Sequence, residues 1–170
     1  MNRRWTAVVA VLALAGFAGM PRLLGQAQPA AGGPQVSEFR PGFDDLMTML
    51  VQPRHIKLYY AGRDKNWELA AFELRELRAS FRRAGQAIPM YRKQDVNKSV
   101  EAMAAPPMDQ VEKAITAKDA AMFATAYGAL TRSCNACHSA MEHAFLVMKV
   151  PDGAVVSEYS NQDFRPSANR

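Results

Sequence analysis

The chain has 170 residues, of which 49% are hydrophobic and 22% are charged. This composition is typical of one globular domain with its own core, and it excludes an intrinsically disordered chain and a multispan membrane protein. The formal charge is +5, but three of the 21 Lys and Arg residues lie in the first 27 residues, where there is no acid, and the remaining 18 nearly match the 16 Asp and Glu. So small an excess of positive charge gives no reason to expect a nucleic-acid partner.

The amino terminus is typical of an export signal. A positive start, Asn2-Arg3-Arg4, precedes an apolar or small-residue run over 6–18, and Gly25-Gln26-Ala27 offers small residues before a cleavage site after Ala27. The run is shorter than the roughly 20 residues that a membrane-spanning helix needs. We therefore predict a signal peptide over 1–27 and a periplasmic mature protein. The alternative is an uncleaved segment that anchors the chain to the membrane.

A Pro- and Gly-rich stretch over 28–42 is predicted to be a flexible lead. From Phe43 onward, apolar residues recur at intervals of three and four, which predicts a first helix that ends at Gly62. Pro53 is expected to kink this helix or to mark a new first turn. A second helix is predicted to open with Asp64 as its N-cap. Its charged residues, including the glutamates, are interpreted as a solvated face.

The third segment is less regular and is predicted to be one broken helix, because Pro106-Pro107 must interrupt or kink it. The fourth helix is predicted to run from Asp119, as N-cap, to about Met148, with an irregular tail over 149–170. Residues 43–148 contain no sustained apolar–polar alternation, so no strand is predicted there. The expected fold class is all-α, a four-helix bundle over 43–148.

The fourth predicted helix contains Cys134-Asn135-Ala136-Cys137-His138, which holds both cysteines of the chain. A Cys-x-x-Cys-His run is the attachment signal of a c-type haem. On a helix, positions i, i+3 and i+4 share one face, so Cys134, Cys137 and His138 can all meet one porphyrin. The two sulfurs would bond its vinyl groups and the imidazole of His138 would be the proximal iron ligand. We predict one covalent haem c per chain, attached on the last helix.

Three other uses of the cysteine pair compete with haem attachment. A thioredoxin-like redox pair follows a strand in a βαβ setting, which the predicted helices do not provide. A structural zinc site needs about four Cys or His ligands, but besides His138 the chain has only His55 and His143. A disulfide between helix positions three apart requires the side chains to bend toward each other. Haem attachment is favoured, and thiol redox chemistry or another metal is the alternative.

Four helices with haem attached near the end of the last one resemble the cytochrome c′ family and its low-spin relatives of the c-556 type. The resemblance covers roughly residues 43–148. The chain is also similar to a group of exported bacterial haem proteins that share three stretches, here Arg-His-Ile-Lys-Leu at 54–58, Asn-Trp-Glu-Leu at 66–69 and Leu-Thr-Arg-Ser-Cys-Asn-Ala-Cys-His at 130–138. The resemblance implies a periplasmic haem bundle, with a homodimer among the expected assemblies.

The resemblance also implies where the second axial ligand of the iron comes from. In the resembled family it lies on the first helix, roughly a dozen residues after the helix starts, which corresponds to His55. Ligation by both His138 and His55 is therefore the favoured prediction. The alternatives are a hydrogen-bonded or surface His55, methionine ligation, or an open iron. The other residues considered are Met47, Met49, Met103, Met108 and, less well placed, His143.

The coordination of the iron separates two functions. Six-coordinate iron does not rearrange on reduction and favours outer-sphere electron transfer, so the predicted function is an electron carrier for an unidentified redox partner. Five-coordinate iron leaves a site for NO or CO, and a gas-binding protein is the alternative. The sequence has no nucleophile–base signature, paired carboxylates or phosphate loop, so an enzyme is not predicted.

Overall fold

The computed structural model describes residues 39–153 and 164–166, which belong to one compact unit, Phe39–Arg170. The predicted signal peptide over 1–27 lies outside these residues, as do most of the predicted lead and most of the tail. The described residues are mostly helical, which confirms the predicted helical class. None of the helices in the described ranges is both long and apolar enough to cross a membrane.

The first helical run begins at Phe43, as predicted, and has three parts: α1 (Phe43–Leu46), a π-helical turn (Met47–Val51, the first π turn) and α2 (Gln52–Arg63). Pro53 is the second residue of α2. Proline has no N–H to donate and its ring clashes with the carbonyl four residues back in an α-helix. Pro53 therefore lies in the first turn of a new α-helical stretch that follows the π turn, one of the two outcomes predicted for it.

The second helix, α3 (Trp67–Ala87), begins later than predicted. Its N-cap is Asn66 and not Asp64: the Asn66 side chain accepts a hydrogen bond from the backbone N–H of Leu69 at 3.2 Å. Glu73, predicted to be solvated, is 1% exposed. Arg54 Nη1 on α2 donates to Glu73 Oε2 at 3.0 Å, which explains why a carboxylate is tolerated between the two helices.

A short antiparallel hairpin, β1 (Met90–Tyr91) and β2 (Gln94–Asp95), follows α3, so the prediction of no strand over 43–148 is wrong. Strands of two residues are too short to show an alternating pattern. The connecting residues Arg92 and Lys93 both have positive φ, 43° and 65°. Such two-residue turns usually carry Asn or Gly, so this Arg-Lys turn lacks the usual sequence signal.

The third helical run is continuous and repeats the plan of the first. It comprises α4 (Val96–Ser99), a second π turn (Val100–Ala104) and α5 (Ala105–Ala117). Pro106-Pro107 lies in the first turn of α5, just after the π turn. The α-helix predicted to be interrupted or kinked here is interrupted by the π turn and not by a loop, and the prolines are tolerated because they stand at the start of the next α-helical stretch.

The last helix, α6 (Ala120–Ala140), begins as predicted at Asp119, whose side chain accepts from the backbone N–H groups of Ala121 and Met122. It ends at Ala140, well before Met148, which corrects the predicted end. Glu142 adopts a left-handed conformation with φ 62°, and the chain turns back along the helix. We call residues 141–148 the return segment.

The helices enclose one main core. Helix α2 packs along α3, α5 packs along α6, and α3–α5 and α2–α6 contacts link the two pairs. Gly62 is needed where the first pair meets α6, because a Cβ there would overlap the ring of Phe123. Phe164, from the second described range, is 3% exposed and packs against Tyr60. The largest fully buried side chains are Tyr60, Tyr127, Leu58, Leu77, Met108 and Leu130.

Candidate functional site

Cys134, Cys137 and His138 all border one cavity of about 350 Å³. Helix α6 contributes these three residues and the return segment closes one side. Both π turns border it too, the first through Met47, Thr48 and Val51 and the second through Val100 and Ala104. The size and the largely apolar lining are typical of a site for a small molecule or cofactor. The structure therefore brings the predicted thioether residues and the predicted proximal ligand to the same cavity.

His138 is half-buried at the edge of this cavity, and its ring is held by the return segment. Its Nδ1 lies 2.7 Å from the backbone carbonyl oxygen of Leu146. A carbonyl oxygen only accepts, so Nδ1 carries the hydrogen and, in the neutral imidazole, Nε2 carries the lone pair. Metal-binding histidines generally have this arrangement, with one ring nitrogen donating to a carbonyl or carboxylate and the other binding the metal.

His55 also borders the cavity, is 2% exposed, and has hydrogen-bond partners at both ring nitrogens. Thr131 Oγ1 donates to the Tyr127 carbonyl at 3.0 Å, and its oxygen can then accept from His55 Nε2 at 3.2 Å. The Tyr127 hydroxyl lies 2.9 Å from both His55 Nδ1 and the His55 carbonyl oxygen. Burial lowers the pKa of His55 from 6.5 to about 4, so the ring is neutral in the folded chain at pH 7.

The hydrogen bonds of His55 bear on its predicted role as distal ligand. Because Thr131 Oγ1 donates to the Tyr127 carbonyl, its contact with His55 Nε2 has Nε2 as the donor, while Nδ1 and the His55 carbonyl oxygen compete for the one hydrogen of the Tyr127 hydroxyl. For Nε2 to bind iron, its contact with Thr131 would have to break. The structure thus has His55 beside the predicted haem residues, in the arrangement of a hydrogen-bonded core histidine.

The other residues considered for the distal position separate into two groups. Met47 and His143 border the cavity. Met49 is 57% exposed and Met108 is packed in the main core at 2% exposure, and neither they nor Met103 line the cavity. Of the methionines considered, only Met47 is therefore placed beside Cys134, Cys137 and His138 by the fold.

His143 was predicted to extend from the same helix as His138, but it lies in the return segment because α6 ends at Ala140. It is 8% exposed, and its Nδ1 donates to the Met141 carbonyl at 2.8 Å. The Tyr91 hydroxyl, on β1, lies 3.3 Å from His143 Nε2 and 3.2 Å from an Asp44 carboxylate oxygen. His143 thus joins the return segment to the hairpin and to α1 at the cavity wall.

The two cysteines are free thiols with raised pKa values. Burial raises the pKa of Cys134 to about 11, and the neighbouring Cys137 adds to the shift. Burial raises the pKa of Cys137 as well. Redox-active cysteine pairs have the opposite property, a lowered pKa that supplies thiolate near neutral pH. This environment disfavours thiol redox chemistry by the folded chain.

The described ranges 39–153 and 164–166 contain no group of three or more His, Cys, Asp or Glu side chains placed to hold a metal ion. A structural zinc site, which takes about four such ligands, has no ligand set there.

Comparisons with protein-family models, curated proteins and solved structures find no match.

The resemblance to cytochrome c′ therefore stays a prediction from the sequence.

Sequence reasoning missed three contributions to the site. Thr131 and Tyr127 precede Cys134 by three and seven residues, a spacing that lies on its helix face, but this spacing does not indicate their hydrogen bonds to His55, which lies 76 and 72 residues earlier. The Leu146 carbonyl, by contrast, depends on the chain reversal after Ala140, and backbone acceptors leave no signal in the residue types.

Proposed function

We propose that the chain is an exported monohaem c-type cytochrome that transfers electrons. The observation that carries the proposal is the convergence of Cys134, Cys137 and His138 on one largely apolar cavity, with His138 Nδ1 bonded to the Leu146 carbonyl. The residues fit haem c, since they supply two thiols and one imidazole from one helix face. When bound, haem c supplies a one-electron couple.

Each residue of the motif has a distinct role in this proposal. Cys134 and Cys137 would hold the haem through two thioether bonds, each formed by addition of S–H across a vinyl group so that no group leaves. His138 would bind the iron through Nε2. The apolar walls limit solvent and lower the local dielectric, two factors that set the reduction potential of a haem. No residue of the site is proposed to act as a catalyst.

The arrangement of the helices and the amino-terminal sequence support two further parts of the proposal, the four-helix bundle and export. The contacts α2–α3, α3–α5, α5–α6 and α6–α2 join four helical runs in a ring, which supports a four-helix bundle with haem on the last helix. Export rests on the amino-terminal pattern over 1–27 and is consistent with haem attachment, which takes place outside the bacterial cytoplasm. The redox partner is a protein that this chain does not identify, and a homodimer remains a prediction from the resemblance.

The covalent haem is tested by exporting the full chain in a bacterium with haem-attachment machinery. We expect a pyridine haemochrome spectrum and an intact mass that correspond to one thioether-linked haem per chain. The variant C137A should lose one thioether and C134A/C137A should lose covalent haem altogether. The matched control S139A, at an exposed position on the same helix, should keep it. A wild-type chain without covalent haem overturns the proposal.

Whether a second residue would bind the iron decides between electron carrier and gas binder. We propose His55 as the distal ligand because it borders the cavity and is neutral. The second candidate function, NO or CO binding at five-coordinate iron, is favoured by the hydrogen bonds that engage both ring nitrogens of His55.

Optical and EPR spectra of the wild type, H55A and M47L, each with and without CO, separate the two functions. A low-spin wild type that becomes high-spin and CO-reactive only in H55A supports His55 ligation. A change only in M47L assigns the position to Met47. A high-spin wild type that binds CO supports the gas binder.

A further inference from the structure

The side chain of Asn135, inside the haem motif, ties the return segment to helix α6. Its Nδ2 donates to the carbonyl oxygen of Met148 at 2.9 Å, and its Oδ1 accepts from the N–H of Met148 at 2.7 Å. One side-chain amide thus pairs with both backbone groups of a residue thirteen positions later. These two bonds use one edge of the primary amide, where one N–H donor and the carbonyl oxygen lie side by side.

The same stretch of backbone carries the group that orients His138. The Leu146 carbonyl, two residues before Met148, accepts from His138 Nδ1 at 2.7 Å. Asn135 lies three residues before His138 on α6, so two side chains of the same helix contact the return segment. Asn135 binds the backbone of Met148, and the carbonyl of Leu146 binds the ring of His138.

Apolar burial contributes little to holding this part of the return segment. Phe145 is 75% exposed, Val147 is 73% exposed and Leu146 is 45% exposed. The segment near Leu146 is fixed mainly by hydrogen bonds, of which the nearest others are Leu146 N–H to the His143 carbonyl at 2.8 Å and His143 N–H to the His138 carbonyl at 2.7 Å. These anchor its amino-terminal side, and Asn135 anchors its carboxyl-terminal side.

We propose that Asn135 is a positioning residue for the proximal ligand. Through Met148 it holds the Leu146 carbonyl against His138 Nδ1, which fixes the tautomer and the ring orientation so that Nε2 is the nitrogen offered to the iron. This inference rests on the proposed function, because the choice of nitrogen matters for electron transfer only if His138 binds iron.

The proposal predicts a shift in the reduction potential. A hydrogen bond from Nδ1 to a carbonyl makes the imidazole a stronger donor to its metal. A stronger donor favours the ferric state over the ferrous state, so weakening the Leu146 contact should raise the reduction potential. It should also expose the Nδ1 hydrogen of His138 to exchange with water.

The experiment uses the full-length wild-type protein, N135A, N135D and S139A as purified. N135A removes both bonds to Met148, whereas N135D keeps the acceptor for the Met148 N–H and loses the donor. The measurements are the reduction potential, by spectroelectrochemical titration, and the exchange rate of the His138 Nδ1 hydrogen, by ¹⁵N-resolved NMR of the reduced protein where haem is bound and of the protein as purified where it is not. We expect a higher potential and faster exchange in N135A, a smaller change in N135D and wild-type values in S139A.

Wild-type values of both quantities in N135A overturn the inference, and so does a change of equal size in S139A. If N135A yields no folded protein, N135D takes its place, and wild-type values of both quantities in N135D overturn the inference. The exchange measurement needs no haem, so it separates this inference from the proposed function. A wild type without haem overturns the proposed function, while faster exchange in N135A still supports the role of Asn135 in holding His138.

Discussion

The buried His55 should make the stability of the fold depend on pH in a way that one substitution removes. Its ring is 2% exposed and hydrogen-bonded at both nitrogens, and burial lowers its pKa from 6.5 to about 4. The unfolded chain therefore binds this proton at higher pH than the folded chain. The stabilisation from a neutral His55 is fully present above pH 6.5 and is lost as the pH falls from 6.5 through 4.

The magnitude follows from the difference between the two pKa values. One pKa unit corresponds to about 1.4 kcal/mol, so a shift from 6.5 to about 4 makes the free energy of unfolding about 3 kcal/mol lower at pH 4 than at pH 7.5. This is a large part of the roughly 5–15 kcal/mol by which a domain of this size is stable. Ligation of iron by His55 would also require the neutral ring, so the unfolding free energy should fall with decreasing pH whether His55 is a ligand or a core residue.

The assay is guanidinium-chloride unfolding of the wild type and H55Q, followed by far-ultraviolet circular dichroism at several pH values from 7.5 to 4.5. Glutamine retains a donor and an acceptor toward Thr131 and Tyr127 but does not titrate. Other groups contribute equally to both proteins, so the quantity of interest is the difference between the two slopes of unfolding free energy against pH. We expect the wild type to lose about 2–3 kcal/mol more than H55Q over this range. Parallel curves would refute the reasoning.

Two further predictions concern packing and charge. G62A should lower the unfolding free energy by about 1–3 kcal/mol, because the new Cβ overlaps the Phe123 ring. The control G128A, whose Cβ meets only Arg132 at 3.5 Å, should be neutral or stabilising by up to about 1 kcal/mol. Equal effects of the two substitutions in thermal melts would contradict this prediction. R54A should cost about 2 kcal/mol by leaving the buried Glu73 carboxylate without its 3.0 Å partner, a value reduced because Arg54 is about one-third exposed. Adding E73Q should recover part of that loss, and a double variant no more stable than R54A would count against this explanation.

The helical runs and the shared helix face of Cys134, Cys137 and His138 were predictable because their signals are local. Apolar spacing of three and four placed the start of the first helix at Phe43, and Asp119 was recognisable as a cap from its position before an apolar run. The i, i+3, i+4 spacing of Cys134, Cys137 and His138 placed them on one helix face, and all three line the same cavity. These features depend on residues within a few positions of each other.

The features that sequence reasoning missed depend on contacts between distant residues. Glu73 is charged and was interpreted as solvated, yet its partner Arg54 lies nineteen residues earlier on another helix. The end of α6 was placed near Met148 because Met141 and Phe145 continue the apolar spacing. The left-handed Glu142 ends the helix first, and Phe145 is exposed. The apolar spacing alone cannot distinguish a further turn of α6 from a return segment that runs back along the helix beside the cavity.

The prolines show what a local signal can and cannot predict. Pro53 was expected to kink its helix or mark a new first turn, and Pro106-Pro107 to interrupt or kink theirs; each lies in the first turn of an α-helix, and the π turn that precedes it was not predicted. A π turn holds more residues than an α-helical turn, so it changes which side chains face inward from that point on. Because both π turns border the cavity, the two helices that carry them are widened where they meet the site.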